Sequence, residues 1–239
     1  MIARAIASVL NQTLAQFELI VVDDGSSDNT EAVISKFSDA RLRYVRAECN
    51  KGAGAARNAG IRMTESDLVA FQDSDDEWMP SKLEKQVPLI CNDIGVVYSD
   101  MLFVDRNENE TLFEAPAQVN SHLVAPSGDR WAVQNIGIQT TLIRRDLLLQ
   151  VGCFNESLPA LEDLELLIRL RKATAFRKCA PPMVRYYDSG GISSDRVATA
   201  SARKTLLSLY GAELHSDKGF VAHELKQVVG LELFPDRHQ

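Results

Sequence analysis

The sequence predicts an α/β fold in which a mainly parallel central sheet is flanked by helices. In the first half of the chain, short apolar runs of strand character alternate with segments of helical character, the order expected of a parallel sheet. Two of these runs end directly in acidic residues, at Asp23–Asp24 and at Asp73–Asp76. Because ligands of such sheets bind beyond the carboxyl ends of the strands, we expect both acidic clusters to face one crevice.

The first elements follow from the apolar pattern. Apolar residues recur at helical spacing over residues 2–10, so the chain opens with a predicted helix. The continuous apolar run in Glu18–Val22 is typical of a strand covered on both faces, and Leu42–Val45 is a short second strand. Asp23 and Asp24 between them are also explained by a simple strand-to-helix turn, since Asp and Gly suit turns.

The next segment, Asn50–Ile61, is rich in glycine and alanine, which favours a helix packed closely on the sheet or beside a ligand. It is not a phosphate loop, because Lys51 precedes the glycines and no G-K-[ST] pattern occurs. Leu68–Phe71 is a predicted strand that leads into the second acidic cluster. The helix predicted over Ser81–Leu89 turns Lys82 towards solvent.

The acidic loop of Phe71–Trp78 concentrates negative charge that no fold requires for stability, since neighbouring carboxylates repel one another. In an extended segment Asp73 and Asp75 point the same way, so both could meet one hard divalent cation. The alternative is a helix-start loop in which Asp75 or Asp76 caps the following helix and Pro80 lies in its first turn. The loop alone leaves both interpretations open.

The second half is less regular. A strand over Ile94–Val104 is followed by a polar, irregular segment, residues 107–128, and a strand over Ile136–Arg144. Glu162 and Asp163 then introduce a strongly apolar helix. Acids in a first helical turn are favoured by the helix dipole, so this pair is open to a structural or a chemical role.

The bulk composition is that of one globular domain. The chain has 239 residues, 45% of them hydrophobic, and a formal net charge of -7. With no basic stripe, nucleic acid is not an expected partner. The four cysteines are scattered, and neither a signal peptide nor an apolar run of membrane-spanning length is found. We therefore expect a cytoplasmic protein.

Together these motifs resemble the inverting glycosyltransferases of family 2, which have the nucleotide-binding GT-A fold. The resemblance runs from Arg4 to about Ser193, and five motifs in the right order make it specific. It implies a nucleotide-sugar-binding half over residues 1–105, an acceptor-binding half over 106–195 and a helical tail over 196–239. The motifs that carry it are Ser8–Thr13, Phe17–Thr30, Ala55–Ile61, Phe71–Pro80 with Lys82-Leu83-Glu84, and Gly152–Glu156 before Glu162-Asp163.

The resemblance implies roles for the first acidic cluster and the D-x-D loop. Asp24 corresponds to the carboxylate that hydrogen-bonds the nucleobase, with Asp23 beside it. Asp73-Ser74-Asp75 matches the D-x-D motif of the family. Asp75 would hold Mn²⁺ or Mg²⁺ against the diphosphate of the donor, and Asp73 would contact the ribose or the metal.

The resemblance also implies the chemistry. Asp163 would be the general base that deprotonates the acceptor hydroxyl, and Arg57 would line the donor pocket. The implied reaction moves a sugar from a nucleotide-diphosphate sugar, with UDP-sugar the favoured donor, to a saccharide or lipid-linked acceptor, in the cytoplasm or at the inner face of the membrane. Capsule, lipopolysaccharide or exopolysaccharide assembly are the contexts that it implies. Two alternatives stay open: a sugar nucleotidyltransferase, and a non-catalytic nucleotide-binding remnant.

The chain departs from the family pattern at two places. Family members open with a strand before the helix that here begins at Met1, so the resemblance implies that this first strand is missing and that the nucleotide-binding half is truncated. The family also often has a His near the turn that corresponds to Tyr186–Gly191, where Asp188 stands here. A metal or phosphate contact of the family is therefore expected to be replaced or lost.

Overall fold

The structure, a computed structural model, describes residues 1–119, 122–124, 132–187 and 195–214. These residues form an α/β fold, which confirms the predicted class. The helices are α1 (Ile2–Leu10), α2 (Thr30–Ile34), α3 (Ala53–Met63), α4 (Lys82–Gln86), α5 (Arg145–Gln150), α6 (Glu162–Ala173) and α7 (Arg196–Leu214). The strands are β1 (Leu19–Asp23), β2 (Leu42–Arg46), β3 (Leu68–Ala70), β4 (Glu77–Trp78), β5 (Ile94–Val104), β6 (Glu110–Phe113), β7 (Ala117–Val119), β8 (His122–Val124), β9 (Leu142–Arg144) and β10 (Ala175–Tyr187).

The strands form mixed rather than mainly parallel sheets. Strands β1 and β2 pair in parallel as a two-stranded sheet. The larger sheet has the order β3-β9-β5-β10-β4, with β6 paired to β5. Within it only β5 and β10 are parallel, and the other pairs are antiparallel. The first half of the chain has the alternation of a parallel sheet, but β9 of the second half inserts between β3 and β5 in the opposite direction, and β10 inserts between β5 and β4 antiparallel to β4.

Two strand assignments of the second half differ from the sequence pattern. Strand β10 was not predicted, because Pro181 and Pro182 interrupt it and proline cannot donate to a ladder. A register shift between Cys179 and Val184 accommodates both prolines. Conversely, only the last three residues of the strand expected over Ile136–Arg144 form β9, and Ile138–Thr140 form a short 3-10 helix instead.

The main core joins α6 to the larger sheet. Leu166, Leu167 and Ile168 of α6 are almost fully buried in one cluster with Val96 and Tyr98 of β5. Burial of this apolar surface fixes the start of α6 relative to the sheet. Trp78 lies in a second buried cluster.

Lys82 is buried, so its predicted exposure is wrong. Its Nζ donates to Gln86 Oε1 at 2.8 Å and to the Thr141 carbonyl at 3.0 Å, and lies 4.2 Å from the centroid of the Trp78 ring. Burial lowers the pKa of Lys82 to about 7. The short α4 packs its first residue against the sheet, a tertiary contact that helical spacing cannot predict.

The strand β1 is less covered than its apolar sequence predicts. Its residues Leu19–Val22 are only partly buried, although such a run is typical of a strand covered on both faces. Strand β3 is partly buried along its whole length as well. Among the described residues, no helix combines the length and the apolar character needed to cross a membrane.

Candidate functional site

The helix α3 gathers the residues of the candidate site. It packs against the start of α6, where a Cβ added at Gly54 would be in ordinary van der Waals contact, 3.6 Å from Glu162 Cγ and 3.6 Å from Phe154 Cβ. The helix also packs on β1. It therefore connects the end of β1 with the acids that open α6.

Asp24, which follows β1, holds the loop that leads into α3. The Gly52 amide donates to Asp24 Oδ2 at 2.7 Å, and the Lys51 amide donates to Oδ1 at 2.9 Å. A carboxylate at a helix N-terminus is favoured by the helix dipole. The carboxylate has further lone pairs beyond these bonds, so the geometry is compatible with a ligand contact as well.

Asp23, at the last position of β1, is buried and satisfied by protein groups. The Ser26 amide donates to Oδ1 and the Tyr44 hydroxyl to Oδ2, each at 2.7 Å. Burial acts to raise the pKa of Asp23, but these hydrogen bonds outweigh it, and the pKa lies below its ordinary value. The geometry is that of the strand-to-helix turn weighed from the sequence.

Arg57 joins the acidic loop after β3 to the start of α6. Its Nη2 donates to Asp73 Oδ1 at 2.8 Å, and its Nη1 donates to Glu162 Oε1 at 2.6 Å. The guanidinium lies 5.5 Å from the centroid of the Phe154 ring. Burial lowers the pKa of Arg57, but the two carboxylates outweigh this effect and raise the pKa above its ordinary value. The guanidinium of Arg57 thus links the acidic loop to the first turn of α6, two segments that are far apart in sequence.

The neighbouring Asn58 fixes the turn before α6. The Phe154 amide donates to Asn58 Oδ1 at 2.8 Å, and Asn58 Nδ2 donates to the Phe154 carbonyl at 2.9 Å and to Glu156 Oε1 at 2.8 Å. These hydrogen bonds connect two of the sequence motifs, the one that contains Arg57 and Asn58 and the turn around Phe154.

The acidic loop does not cap α4, so the helix-start interpretation is wrong. The helix begins at Lys82 with Ser81 at the cap position, and β4 separates it from the acids. Asp73 and Asp75 are partly buried and Ser74 is exposed. The guanidinium of Arg4 donates to the backbone carbonyl of Asp75 and so ties α1 to this loop.

Asp76 is a buried acid that the sequence pattern did not single out as a site residue. Its Oδ1 accepts from the Tyr187 amide at 3.1 Å, and its Oδ2 has no hydrogen-bond partner among the described residues, although Gln139 is near enough to lower the pKa slightly. Burial, reinforced by the charges of Asp73 and Asp75, raises the pKa of Asp76 to about 7. Asp76 differs from Asp73 and Asp75 in being fully buried, which the local sequence does not predict.

The oxygen donors of this loop fit a cation that is shared with a substrate. Within the part of the chain that the structure describes, no three His, Cys, Asp or Glu side chains form a ready metal cage. A small divalent cation such as Mg²⁺ usually keeps water and is held by one or two carboxylates together with substrate phosphates. Asp73 and Asp75 supply that number of carboxylates.

Asp163 lies in the first turn of α6 and is partly exposed. Desolvation by the surrounding protein raises the pKa of Asp163 to about 6, Glu162 raises it further, and Arg57 lowers it. The residue before the pair, Leu161, has a left-handed backbone with φ 58°. A carboxylate whose pKa lies near neutral pH is suited to accept a proton from a substrate hydroxyl.

The structure thus brings Arg57, Asp73, Glu162 and Asp163 together, and connects Asp24 to them through α3. The sequence identified Glu162 only as the neighbour of Asp163, and the pairing of Glu162 with Arg57 was not predicted. One sequence signal could have found it, since an arginine amid small residues needs carboxylate partners when it is buried. Asp188 lies outside the described residues, so nothing is added to its prediction.

Comparison with known proteins gives two relatives from Escherichia coli with related names. The UDP-Glc:alpha-D-GlcNAc-diphosphoundecaprenol beta-1,3-glucosyltransferase WfgD is 37% identical over 149 residues, which are 62% of this chain and 56% of that protein. WfaP, with the same enzyme name, is 25% identical over 215 residues, which are 88% of this chain and 81% of that protein. The chain therefore spans little more than half of the length of WfgD.

A solved structure and a family model agree with this likeness. The structure of Staphylococcus aureus TarS 1–349 in complex with UDP-GlcNAc superposes with a TM-score of 0.72 at 20% identity, over 99% of this chain and 72% of that chain. The same protein in complex with UDP gives a TM-score of 0.66 at 20% identity, over 86% of this chain and 61% of that chain. The model described as Glycosyl transferase family 2 matches residues 1–148.

Proposed function

Since the chain belongs to glycosyl transferase family 2 and has the GT-A fold, we propose that it moves a sugar from a nucleotide-diphosphate sugar to an acceptor hydroxyl with inversion at the anomeric carbon. One observation carries the proposal. The two salt bridges of Arg57 hold Asp73 of the D-x-D loop and Glu162, the neighbour of Asp163, at 2.8 and 2.6 Å. The acids assigned to the donor phosphates and to the acceptor hydroxyl therefore meet at one place.

The proposed donor is a UDP-sugar. The names of WfgD and WfaP include UDP-Glc, and the TarS structures contain UDP or UDP-GlcNAc, which supports this donor class. Asp24, with Asp23 beside it, is assigned to the nucleobase. The fixed loop at Lys51 and Gly52 would keep the Asp24 carboxylate in place for this contact.

The proposed cofactor is Mn²⁺ or Mg²⁺, held by Asp75 and Asp73 together with the diphosphate. When bound, the cation would stabilise the negative charge that grows on the leaving group. Ser74 lies between the two proposed ligands at an exposed position and is assigned to the donor site. Arg57 neutralises part of the charge of Asp73, so that the acidic loop is stable before the cation arrives.

Asp163 is the proposed general base. Its carboxylate takes the proton of the acceptor hydroxyl while the acceptor oxygen bonds to the anomeric carbon. The bond between that carbon and the β-phosphate oxygen breaks, and its electron pair leaves with the nucleoside diphosphate. Attack opposite to the leaving group inverts the anomeric configuration.

The proposed acceptor is a saccharide or a lipid-linked saccharide. The relatives WfgD and WfaP carry the name of a diphosphoundecaprenol-linked acceptor, which supports the lipid-linked class. Such an acceptor would bring the protein to the inner face of the membrane from the cytoplasm.

The test is an assay of UDP release from UDP-glucose and UDP-N-acetylglucosamine, with Mn²⁺, Mg²⁺ or EDTA, and with or without diphosphoundecaprenol-linked GlcNAc. We expect cation-dependent UDP release that the acceptor accelerates. Binding of UDP by calorimetry without any turnover would favour a non-catalytic nucleotide-binding module. Formation of UDP-sugar from UTP and a sugar 1-phosphate would instead favour a nucleotidyltransferase.

A further inference from the structure

The helix α1 binds the backbone of the segment after β3 through polar side chains. Arg4 and Ser8 lie one turn apart on α1, and Gln12 follows the helix at the same interval. Ser8 Oγ accepts from the Trp78 amide at 3.0 Å, and Gln12 Nε2 donates to the Met79 carbonyl at 2.8 Å. The apolar spacing by which α1 was predicted does not include these three residues. They give α1 a second role, because they hold the backbone that carries the acidic loop.

Arg4 makes the contact of this series that is nearest to the D-x-D motif. Its Nη2 donates to the backbone carbonyl of Asp75, and its guanidinium carbon lies 3.4 Å from the centroid of the Tyr187 ring. Arginine is suited to such a position, since its planar guanidinium can stack on an aromatic face and still donate hydrogen bonds in its own plane. Arg4 therefore joins the acidic loop to the last residue of β10.

The acidic loop forms a tight turn over Asp73–Asp76 rather than an extended segment. The Asp76 amide donates to the Asp73 carbonyl at 3.3 Å, the bond that closes a four-residue turn. This amide belongs to the same planar peptide unit as the Asp75 carbonyl, which accepts from Arg4. Both polar groups of that peptide unit are thus held, and this fixes the direction in which the backbone presents the Asp75 side chain.

The strand β10 holds the same turn through Asp76. The Tyr187 amide donates to Asp76 Oδ1 at 3.1 Å, and Asp76 is fully buried. The Tyr187 hydroxyl donates to Glu77 Oε2 at 3.0 Å, which keeps the ring in place beneath Arg4. Repulsion among the neighbouring carboxylates acts to open the turn, and the guanidinium charge of Arg4 offsets part of it. The turn is therefore held both by α1 and by β10.

We propose that Arg4 is a positioning residue for the cation-dependent binding of the donor, and that it acts through the backbone of Asp75. The inference rests on the proposed function, because it takes Asp75 as a cation ligand. A ligand that is held in its binding orientation before the cation arrives loses less conformational freedom on binding, so the cation and the diphosphate bind more tightly. The carboxylates of Asp73 and Asp75 supply the contacts, and Arg4 supplies their preorganisation.

The first test contains neither nucleotide nor cation. Arg4→Met keeps a long aliphatic side chain in the whole protein but removes the donor to the turn. We expect hydrogen exchange of the Asp76 amide to become about tenfold faster, because the peptide unit loses one of its two holds. Exchange of the Trp78 amide, which bonds Ser8, should change less than about twofold. Equal exchange of the Asp76 amide in the two proteins would overturn the inference, whatever reaction the protein catalyses.

The second test measures UDP affinity by calorimetry in Mn²⁺ and in EDTA. Arg4→Met should bind UDP about tenfold more weakly in Mn²⁺ and within about twofold of the original protein in EDTA. An equal loss under both conditions would overturn the inference, since Arg4 would then act on the nucleotide or on the whole fold. A Mn²⁺ effect that Arg4→Met keeps in full would overturn the inference alone. No Mn²⁺ effect in the original protein would overturn the proposed cofactor, and the inference with it.

Arg41 provides the matched control, because it makes the same two kinds of contact elsewhere. Its Nη2 donates to the Leu10 carbonyl at 2.9 Å, and its guanidinium carbon lies 4.5 Å from the centroid of the Phe17 ring. Arg41→Met should lower the melting temperature as Arg4→Met does, but UDP affinity in Mn²⁺ should stay within about twofold. Equal losses of UDP affinity in the two variants would reveal a general effect of stability and overturn the assignment of Arg4.

A milder variant covers the case in which Arg4→Met does not fold. Arg4→Lys keeps the charge and one donor but loses the planar stack on Tyr187. It should bind UDP about threefold more weakly in Mn²⁺ and equally well in EDTA. Circular dichroism establishes which variants are folded, and unchanged UDP affinity in every folded Arg4 variant would overturn the inference.

Discussion

The acids at the end of β1 and the acids after β3 belong to the same residue type in similar positions, yet their surroundings differ. Asp23 receives hydrogen bonds from Ser26 and Tyr44, and its pKa is lowered. Asp76 has one oxygen without a partner among the described residues, and burial raises its pKa to about 7. Asp23 of the first cluster is stabilised by hydrogen bonds from the protein itself, whereas ionised Asp76 of the second cluster carries an unfavourable buried charge.

This difference separates acids that build the fold from acids that are available for chemistry. A carboxylate saturated by backbone amides gains nothing from a cation or a proton, while one that is buried among like charges gains from either. By this criterion the loop after β3 and the acids that open α6 form the reactive side of the site. Asp24 holds α3 and so positions Arg57 for that side.

The largest effect is expected from Asp163→Asn. The variant keeps the size and polarity of the side chain but cannot accept the acceptor proton, so the transfer rate should fall about 10²- to 10⁴-fold. UDP affinity by calorimetry should stay within about twofold of the original protein, because Asp163 is assigned to the acceptor. The control Asp146→Asn changes a first-turn acid of α5 and should leave the rate intact. A normal rate in Asp163→Asn would remove it as the base.

The next largest effect should come from Asp75→Ala, which removes the proposed main cation ligand. UDP binding in the presence of Mn²⁺ should weaken more than tenfold, while the weak binding measured in EDTA should be unchanged. Asp67→Ala, an exposed acid just before β3, is the matched control. If Mn²⁺ strengthens UDP binding equally in all three proteins, the cation is held elsewhere.

Arg57→Met tests the bridge between the two acidic sides. It leaves Asp73 and Glu162 without their shared cation, and we expect a loss of roughly 2 kcal/mol in the free energy of unfolding, measured by urea denaturation. The transfer rate should fall more than the donor affinity, because the base and the donor lose their common anchor. Arg62→Met, on the exposed side of α3, provides the comparison. If Arg57 only stabilises the fold, Arg57→Met will lower the free energy of unfolding and leave the transfer rate unchanged.

The smallest effect is expected in thermal unfolding at pH 8, where Asp76→Asn and Asp23→Asn should shift the melting temperature in opposite directions. The folded pKa of Asp76 is raised, so its stabilising contribution is present at low pH and is lost as the pH rises through about 7. The folded pKa of Asp23 is lowered, so its contribution is present above the ordinary Asp value and is lost in acid. At pH 8 the first variant should therefore melt a few degrees higher and the second lower. Shifts in the same direction would contradict the contrast between the two clusters.

The features that the sequence predicted are those set by local pattern. The helix α1 was predicted from the spacing of its apolar residues, and its bounds in the structure are the same. Strand β5 was also predicted with its observed ends, because a long apolar run has few alternatives. The motifs that gave the family are likewise short segments, in which residue type and spacing carry the information.

The features that the sequence did not predict depend on contacts across the chain. Arg57 and Glu162 are 105 residues apart, and no periodicity relates them. The burial of Lys82 depends on where α4 packs, and the pKa of Asp76 is raised by burial in the folded chain, although the hydrogen bond from the Tyr187 amide of β10 lowers it. The strand β10 itself was hidden by two prolines, which the register shift absorbs.

The backbone at Leu161 has a consequence for how α6 delivers its acids. A leucine with a left-handed φ of 58° costs roughly 1 kcal/mol relative to the right-handed form. The salt bridge between Arg57 and Glu162, the residue after Leu161, helps to offset that cost. The direction in which α6 leaves the turn, and with it the position of Asp163, therefore depends on a contact with α3 and not on the turn alone.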